Sequence, residues 1–231
     1  MRVAILVICA FPLLAEFPAC PSAAVQWSPC EIRFDSSPAD VEFRSPKKKT
    51  LLLPTFREGG KTVVRFTPTE DGVWDFKAGE ATGQFSAASS NAPGFIHPIN
   101  AHHWIADNDK QHLWMGTRID LRQPRAEFDQ EVALRAKEKF THLTVVLGKS
   151  ADLVEAADRV WQIHKAGMTT DLALEELPSA RDVTGLVARF AAFNLTWAGV
   201  VDFEKIDRSK SALKEYGLAL RRIDPYQHPR G

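Results

Sequence analysis

The chain has 231 residues, enough for one or two domains, and its 29 basic residues balance its 29 acidic ones. That balance excludes a global field that would draw the chain to nucleic acid or an anionic membrane, so no nucleic-acid partner is expected. The one basic run, Lys47-Lys48-Lys49, reads as a solvated turn rather than a phosphate site.

The first predicted element is an export segment. Arg2 supplies a short positive region and Val3 to Ala15 an apolar stretch of signal-peptide length. Ser22-Ala23-Ala24 then offers small residues for cleavage, which we expect after Ala24. The apolar run is shorter than the ~20 residues of a membrane span. The expected product is secreted or periplasmic, with no membrane contact once residues 1–24 are removed. Cys20 as a lipidation site is the weaker alternative, because Phe17-Pro18-Ala19 matches a lipobox poorly. Cleavage after Ala24 removes Cys9 and Cys20 and leaves Cys30 alone, so no intrachain disulfide is expected.

Residues 25–106 read as all-β. Alternating runs recur at Glu31 to Phe34, Val41 to Phe43, Thr62 to Phe66 and Val73 to Phe76, separated by Gly- and Pro-bearing turns. Period-two alternation with turns about every ten residues predicts a β-sandwich. Trp74 and Phe76 share one face, as do Val64 and Phe66. They read as core, or alternatively as an aromatic platform for sugar stacking.

From residue 107 strands alternate with helical patterns. The strand-like runs are Leu113 to Thr117, Leu143 to Leu147, Thr169 to Leu174 and Leu195 to Trp197. Helical spacing occupies Phe128 to Phe140, Leu153 to Ala166, Val183 to Phe193 and Ser209 to Leu220. Such alternation implies βαβ units and a parallel sheet, four units beginning at residues 112, 142, 169 and 194. A (β/α)8 barrel takes ~250 residues. Only 125 follow position 106, so the expectation for 107–231 is a partial barrel or a small open α/β layer.

The order of motifs carries a resemblance. VQWSPCEIRF, then PTFREGGKTVVRFTPTEDGVWDFKAGEATGQF and PGFI, resembles the Ig-like domain that precedes apiosidase-like glycoside hydrolase barrels. HLWMGTRID, KFTHLTVVLG, NLTWAGVVDFE and DPYQHPRG are similar to the early strands of those barrels. The resemblance spans nearly all of residues 25–231. It implies a multi-domain fold class: an N-terminal all-β Ig-like sandwich followed by an incomplete α/β (β/α)8 TIM-barrel half. It also implies hydrolysis of glycosidic bonds in a polysaccharide or oligosaccharide, without metal or organic cofactor. Family barrels continue beyond the DPYQHPR segment and carry their second carboxylate there, so catalytic incompleteness is expected. A non-enzymatic carbohydrate-binding protein is the alternative.

Glycosidases place two carboxyl groups beside the scissile bond. The resemblance puts Glu204 at the acid/base position, just past the apolar run Leu195 to Val201, with Asp202 as second choice. Either carboxylate otherwise caps the following helix or pairs with a surface lysine. Trp197 is a sugar-stacking floor or strand core. Asp120, Arg118 and Thr117 follow the first strand and line the same mouth, or form a polar loop. Glu175 and Glu176 follow the third strand. His228 reads as a structural hydrogen-bonding group. His102-His103 lack the spacing of a metal site, and no phosphate loop, GxSxG elbow or HExxH occurs.

Overall fold

The computed structural model describes residues 17–100, 103–205 and 209–231. Residues 1–16, with Arg2 and the Val3–Ala15 run, and His102 lie outside them. A one-turn helix α1 (Cys20–Ala23) is followed by β1 (Cys30–Phe34), β2 (Asp40–Arg44), β3 (Thr50–Pro54), β4 (Phe56–Glu58), β5 (Lys61–Phe66), β6 (Gly72–Ala78) and β7 (Ala81–Ala87). These strands form two antiparallel sheets, ordered β1-β5-β4 and β3-β2-β6-β7. In β2 the alternation is strict, with Val41 and Phe43 buried between exposed neighbours. The sheets meet where Phe43 stacks on Phe66 at 4.0 Å and Trp74 sets its edge on Phe66 at 4.9 Å. Trp74 is fully buried because its indole N–H finds an acceptor, the Glu70 carbonyl, at 2.9 Å. Phe76 is only half-buried, its ring lying across Gly83, where a Cβ would come within 2.5 Å.

A small antiparallel sheet follows, β8 (Ile96–Pro98), β9 (Trp104–Ala106) and β10 (Gln111–His112), ordered β10-β9-β8. The boundary expected at 106/107 therefore falls in the turn between β9 and β10. Next come β11 (Gly116–Arg118), α2 (Arg125–Lys137), β12 (His142–Leu147), α3 (Leu153–Lys165), β13 (Thr169–Leu174), α4 (Ala180–Phe190), β14 (Leu195–Val200), a 3-10 turn (Phe203–Lys205) and α5 (Ser209–Ile223).

Strands β11-β12-β13-β14 form a parallel sheet in sequential order. Right-handed crossovers in that order put the connecting helices α2, α3 and α4 on one face. That face carries Leu143, Val145, Leu172, Leu195 and Trp197, all at or below 1% exposure, in one core with Phe128, Val160, Ile163 and Phe190 from the helices. The caps follow the sequence. Asp152 accepts from the Val154 and Glu155 amides to start α3, and Ser179 with Asp182 forms a capping box on α4. Gly167, at φ 78°, turns the chain after α3.

The expected fold class needs correction. The described residues form four separate sheets and five helices, and the parallel strands make an open four-stranded sheet rather than a barrel wall. Its two outer strands do not meet. On the β14 side Trp197 exchanges backbone bonds with Pro229 and Gly231 at 2.9 Å each.

The cysteine expectation is also overturned. Cys20 and Cys30 form a disulfide, and Cys20 is fully buried. The segment before Val25 is part of the packed structure. Phe17 lies 3.9 Å beneath the Arg65 guanidinium and contacts Trp161 and Phe193 at 5.4 and 5.9 Å. Cleavage after Ala24 would remove all of these contacts.

The all-β and α/β parts share one core. Arg65 donates to the Arg189 carbonyl at 2.5 Å and Thr67 Oγ1 to the Ala192 carbonyl at 2.5 Å, both tying β5 and its following turn to the end of α4. Arg65 is buried and paired with buried Glu31 through Nε and Nη2, at 3.0 and 2.7 Å. Burial pushes the Arg65 guanidinium below its ordinary value despite that partner.

Candidate functional site

A cleft of about 440 Å³ opens at the carboxyl ends of β11, β12 and β13. In open α/β sheets this edge is where ligands bind, because loops of any chemistry can be mounted there on a fixed sheet. Arg118 ends β11, Asp120 and Arg122 come from the turn after it, Gly148 and Asp152 from the turn after β12, Glu155 and Arg159 from α3, and Glu175 directly follows β13.

Most of these charges are committed. Arg122 donates to Asp120 through its amide at 2.8 Å and through Nε at 3.1 Å. Those bonds hold the Asp120 carboxyl below the usual carboxylate range, so it stays ionised and is not a proton donor near neutrality. Arg159 is held by Glu155 at 2.6 Å and the Gln123 carbonyl at 2.9 Å. Asp152 is spent on its helix cap. Arg118 and Glu175 remain. Neither side chain hydrogen-bonds to another described residue, and both face the cleft. Glu175 lies directly over Gly148, where a Cβ would approach its Oε2 to 2.9 Å.

The other residues singled out by sequence are placed elsewhere. Glu204 is exposed on the 3-10 turn beyond β14, and Asp202 is exposed with φ 53° just before it. Neither lines this cleft. Trp197 is 1% exposed and turned toward the helices, its Nε1 donating to Asp224 at 3.0 Å, so it presents no indole face to a ligand. Asp224 also accepts from His228, through Nδ1 at 2.9 Å and the amide at 3.0 Å. Burial opposes ionisation of Asp224, but the neighbouring His228 and these donors together hold its carboxyl below the ordinary range. Glu176 points away from the cleft to Lys149 at 3.2 Å.

Sequence reasoning passed over a buried polar chain on the sheet face opposite the helices. Asp171, in the middle of β13, accepts from Thr196 Oγ1 at 2.7 Å and Thr144 Oγ1 at 3.3 Å and faces His142 Nδ1 at 2.8 Å. His142 Nε2 faces His112 Nε2 at 2.8 Å. Burial first, then the neighbouring His142, lowers the pKa of His112 and keeps its ring neutral. The available signal was a carboxylate inside an otherwise buried strand, TTDLAL, which must have partners.

No family model matches the chain, and no curated protein matches it.

Proposed function

We propose that the chain is a glycoside-hydrolase-like protein that holds a polysaccharide or oligosaccharide in the carboxyl-edge cleft, and that binding rather than turnover is what these 231 residues perform. The observation that carries this reading is that Arg118 and Glu175 line one polar cleft and neither is hydrogen-bonded to another described residue. A donor fork and an acceptor with unused hydrogen-bonding capacity suit a ligand dense in hydroxyl groups. The motif order shared with apiosidase-like glycoside hydrolases supports the same ligand class. The Cys20–Cys30 disulfide supports an exported protein, since such bonds persist in oxidising compartments.

Hydrolysis needs one carboxyl able to donate a proton and a second that stays ionised. Asp120 suits only the ionised role. Glu204, the acid that the resemblance suggests, stands outside the cleft that holds Asp120 and Glu175.

The test is a panel of plant cell-wall oligosaccharides, with binding read by calorimetry and products by chromatography. Arg118→Ala and Glu175→Gln each weaken binding by at least about tenfold, Glu204→Gln leaves it unchanged, and no product forms. Binding indifferent to Arg118→Ala would remove the cleft from the reading. Turnover abolished by Glu204→Gln would restore hydrolysis with Glu204 as the acid.

A further inference from the structure

Recognition chemistry gathers a second time at the opposite, amino-terminal end of the parallel strands. Four rings meet there. Trp104 and His112 are direct cross-strand partners on β9 and β10, which places their side chains together on one face. His112 contacts His142, the first residue of β12, with ring centroids 5.0 Å apart. Trp114 lies flat on His142 at 3.9 Å and 10°. Trp104 closes the circle, meeting Trp114 edge-on at 4.9 Å.

Trp114 is 40% exposed, next to Leu113 at 72%, and Trp104 is partly exposed. The buried indoles Trp74 and Trp197 each donate their N–H to a protein acceptor. The indole N–H groups of Trp104 and Trp114 donate to none of the described residues. The polar chain beneath fixes the remaining valence. Asp171 accepts from Thr144 and Thr196 and faces His142 Nδ1. His142 Nε2 in turn hydrogen-bonds His112 Nε2. That bond leaves His112 Nδ1 without a partner among the described residues.

From this geometry we infer a carbohydrate-binding platform made by Trp104, Trp114 and His112, separate from the carboxyl-edge cleft. A pyranose ring offers C–H groups on its flat face and hydroxyls around its rim. The indole surface takes the first, while the free indole N–H groups and His112 Nδ1 take the second. A purely apolar partner would leave those polar groups unmatched. The stack on His142, itself held by Asp171, fixes Trp114 before a ligand arrives, which reduces the ordering cost of binding. This inference rests on the carbohydrate reading but on different residues.

The test uses the full chain with neutral β-linked gluco-, xylo- and manno-hexaoses. Acrylamide quenching of tryptophan fluorescence, read in a Trp27→Phe background, reports the platform, because Trp74, Trp161 and Trp197 are buried. At least one hexaose protects the indoles, and the protection survives Arg118→Ala. Trp104→Ala weakens it by at least about tenfold. His112→Ala, which retains both indoles, also weakens it and keeps the test open should Trp104→Ala misfold. Protection by no hexaose, or wild-type protection in both platform variants, would overturn the inference. Equal protection by a leucine-rich peptide would make the patch a protein-docking surface and overturn it too. Loss of all binding in Arg118→Ala with the platform variants unaffected would leave the cleft standing and remove the platform alone.

Discussion

Tyr226 and Thr67, 159 residues apart, close a two-way bridge: the Thr67 amide donates to the tyrosine hydroxyl at 2.8 Å, and that hydroxyl donates to the Thr67 carbonyl at 3.2 Å. Both residues are buried, and burial raises the tyrosine pKa, so the group is a neutral hydroxyl throughout the accessible range. Tyr226→Phe keeps the ring packed on Phe95 and strands a buried N–H and C=O. The expected loss is about 1–3 kcal/mol. Denaturant unfolding followed by both tryptophan fluorescence and circular dichroism should show one coincident transition, shifted to lower midpoint. Separate transitions for the all-β and α/β parts would contradict the shared core.

The Glu31–Arg65 pair lies within the all-β part, on neighbouring strands β1 and β5, and holds the guanidinium that reaches the Arg189 carbonyl of the α/β part. Removing one member leaves a buried charge unpaired, so Glu31→Gln should cost about 3–5 kcal/mol. Replacing both together, as Glu31→Leu with Arg65→Met, should recover part of that loss, because the second change removes the orphaned charge. A double variant less stable than the sum of the two single changes would show that the pair is not the source of the effect.

Cys20–Cys30 closes a ten-residue separation. On the loop-entropy model the crosslink contributes about 3 kcal/mol, so Cys30→Ser should lower the melting temperature measurably. The same bond fixes an expectation for processing. Non-reducing peptide mapping of the chain should recover Cys20 linked to Cys30, with the mature terminus upstream of Phe17. A terminus at Val25 with a free Cys30 thiol would mean that the N-terminal segment is dispensable.

His164 carries a pH dependence. Its ring packs against Trp161 and Phe193, and desolvation pushes its pKa down to about 4 from its ordinary 6.5. The unfolded chain therefore binds this proton first. The contribution to stability is full above pH 6.5, falls as pH drops from about 6.5 to about 4, and is flat below. The total is up to about 3 kcal/mol. Urea midpoints across that window should fall in the wild type and fall less in His164→Gln. Equal slopes would assign the effect to other groups.

The elements legible in the sequence were those whose burial is periodic. Val41 and Phe43 announce their face because their neighbours on β2 are exposed, and Val64 and Phe66 alternate with the polar Arg65 although both faces of β5 are buried. Strands β4 and β8–β10 are too short for a period to register, and β7 (ATGQFSA) shows only Phe85 as a strong apolar signal. Its place is set by seven cross-strand partners on β6, which no local pattern reveals. The cleft was partly legible, since Arg118, Asp120 and Glu175 all follow strands. Glu204 also follows one, yet the turn after β14 carries it clear of the cavity. The disulfide was hidden by a rule that assigned Cys20 to a discarded leader. The four-ring cluster was hidden for another reason: its members come from β9, β10, β12 and the Leu113–Met115 turn, so only tertiary packing assembles them.

Asp171 has a further consequence, for how the chain finds its alignment. Side chains alternate between faces along a strand, so sliding β13 by one residue against β12 would swing the carboxylate into the helix layer beside Leu143 and Val145. There it would meet hydrocarbon instead of Thr144, Thr196 and His142. Leu172 would move out to the polar side at the same time. One acidic residue thus penalises every odd-numbered misalignment of the central strand, a proofreading role that Leu or Val at that position could not fill.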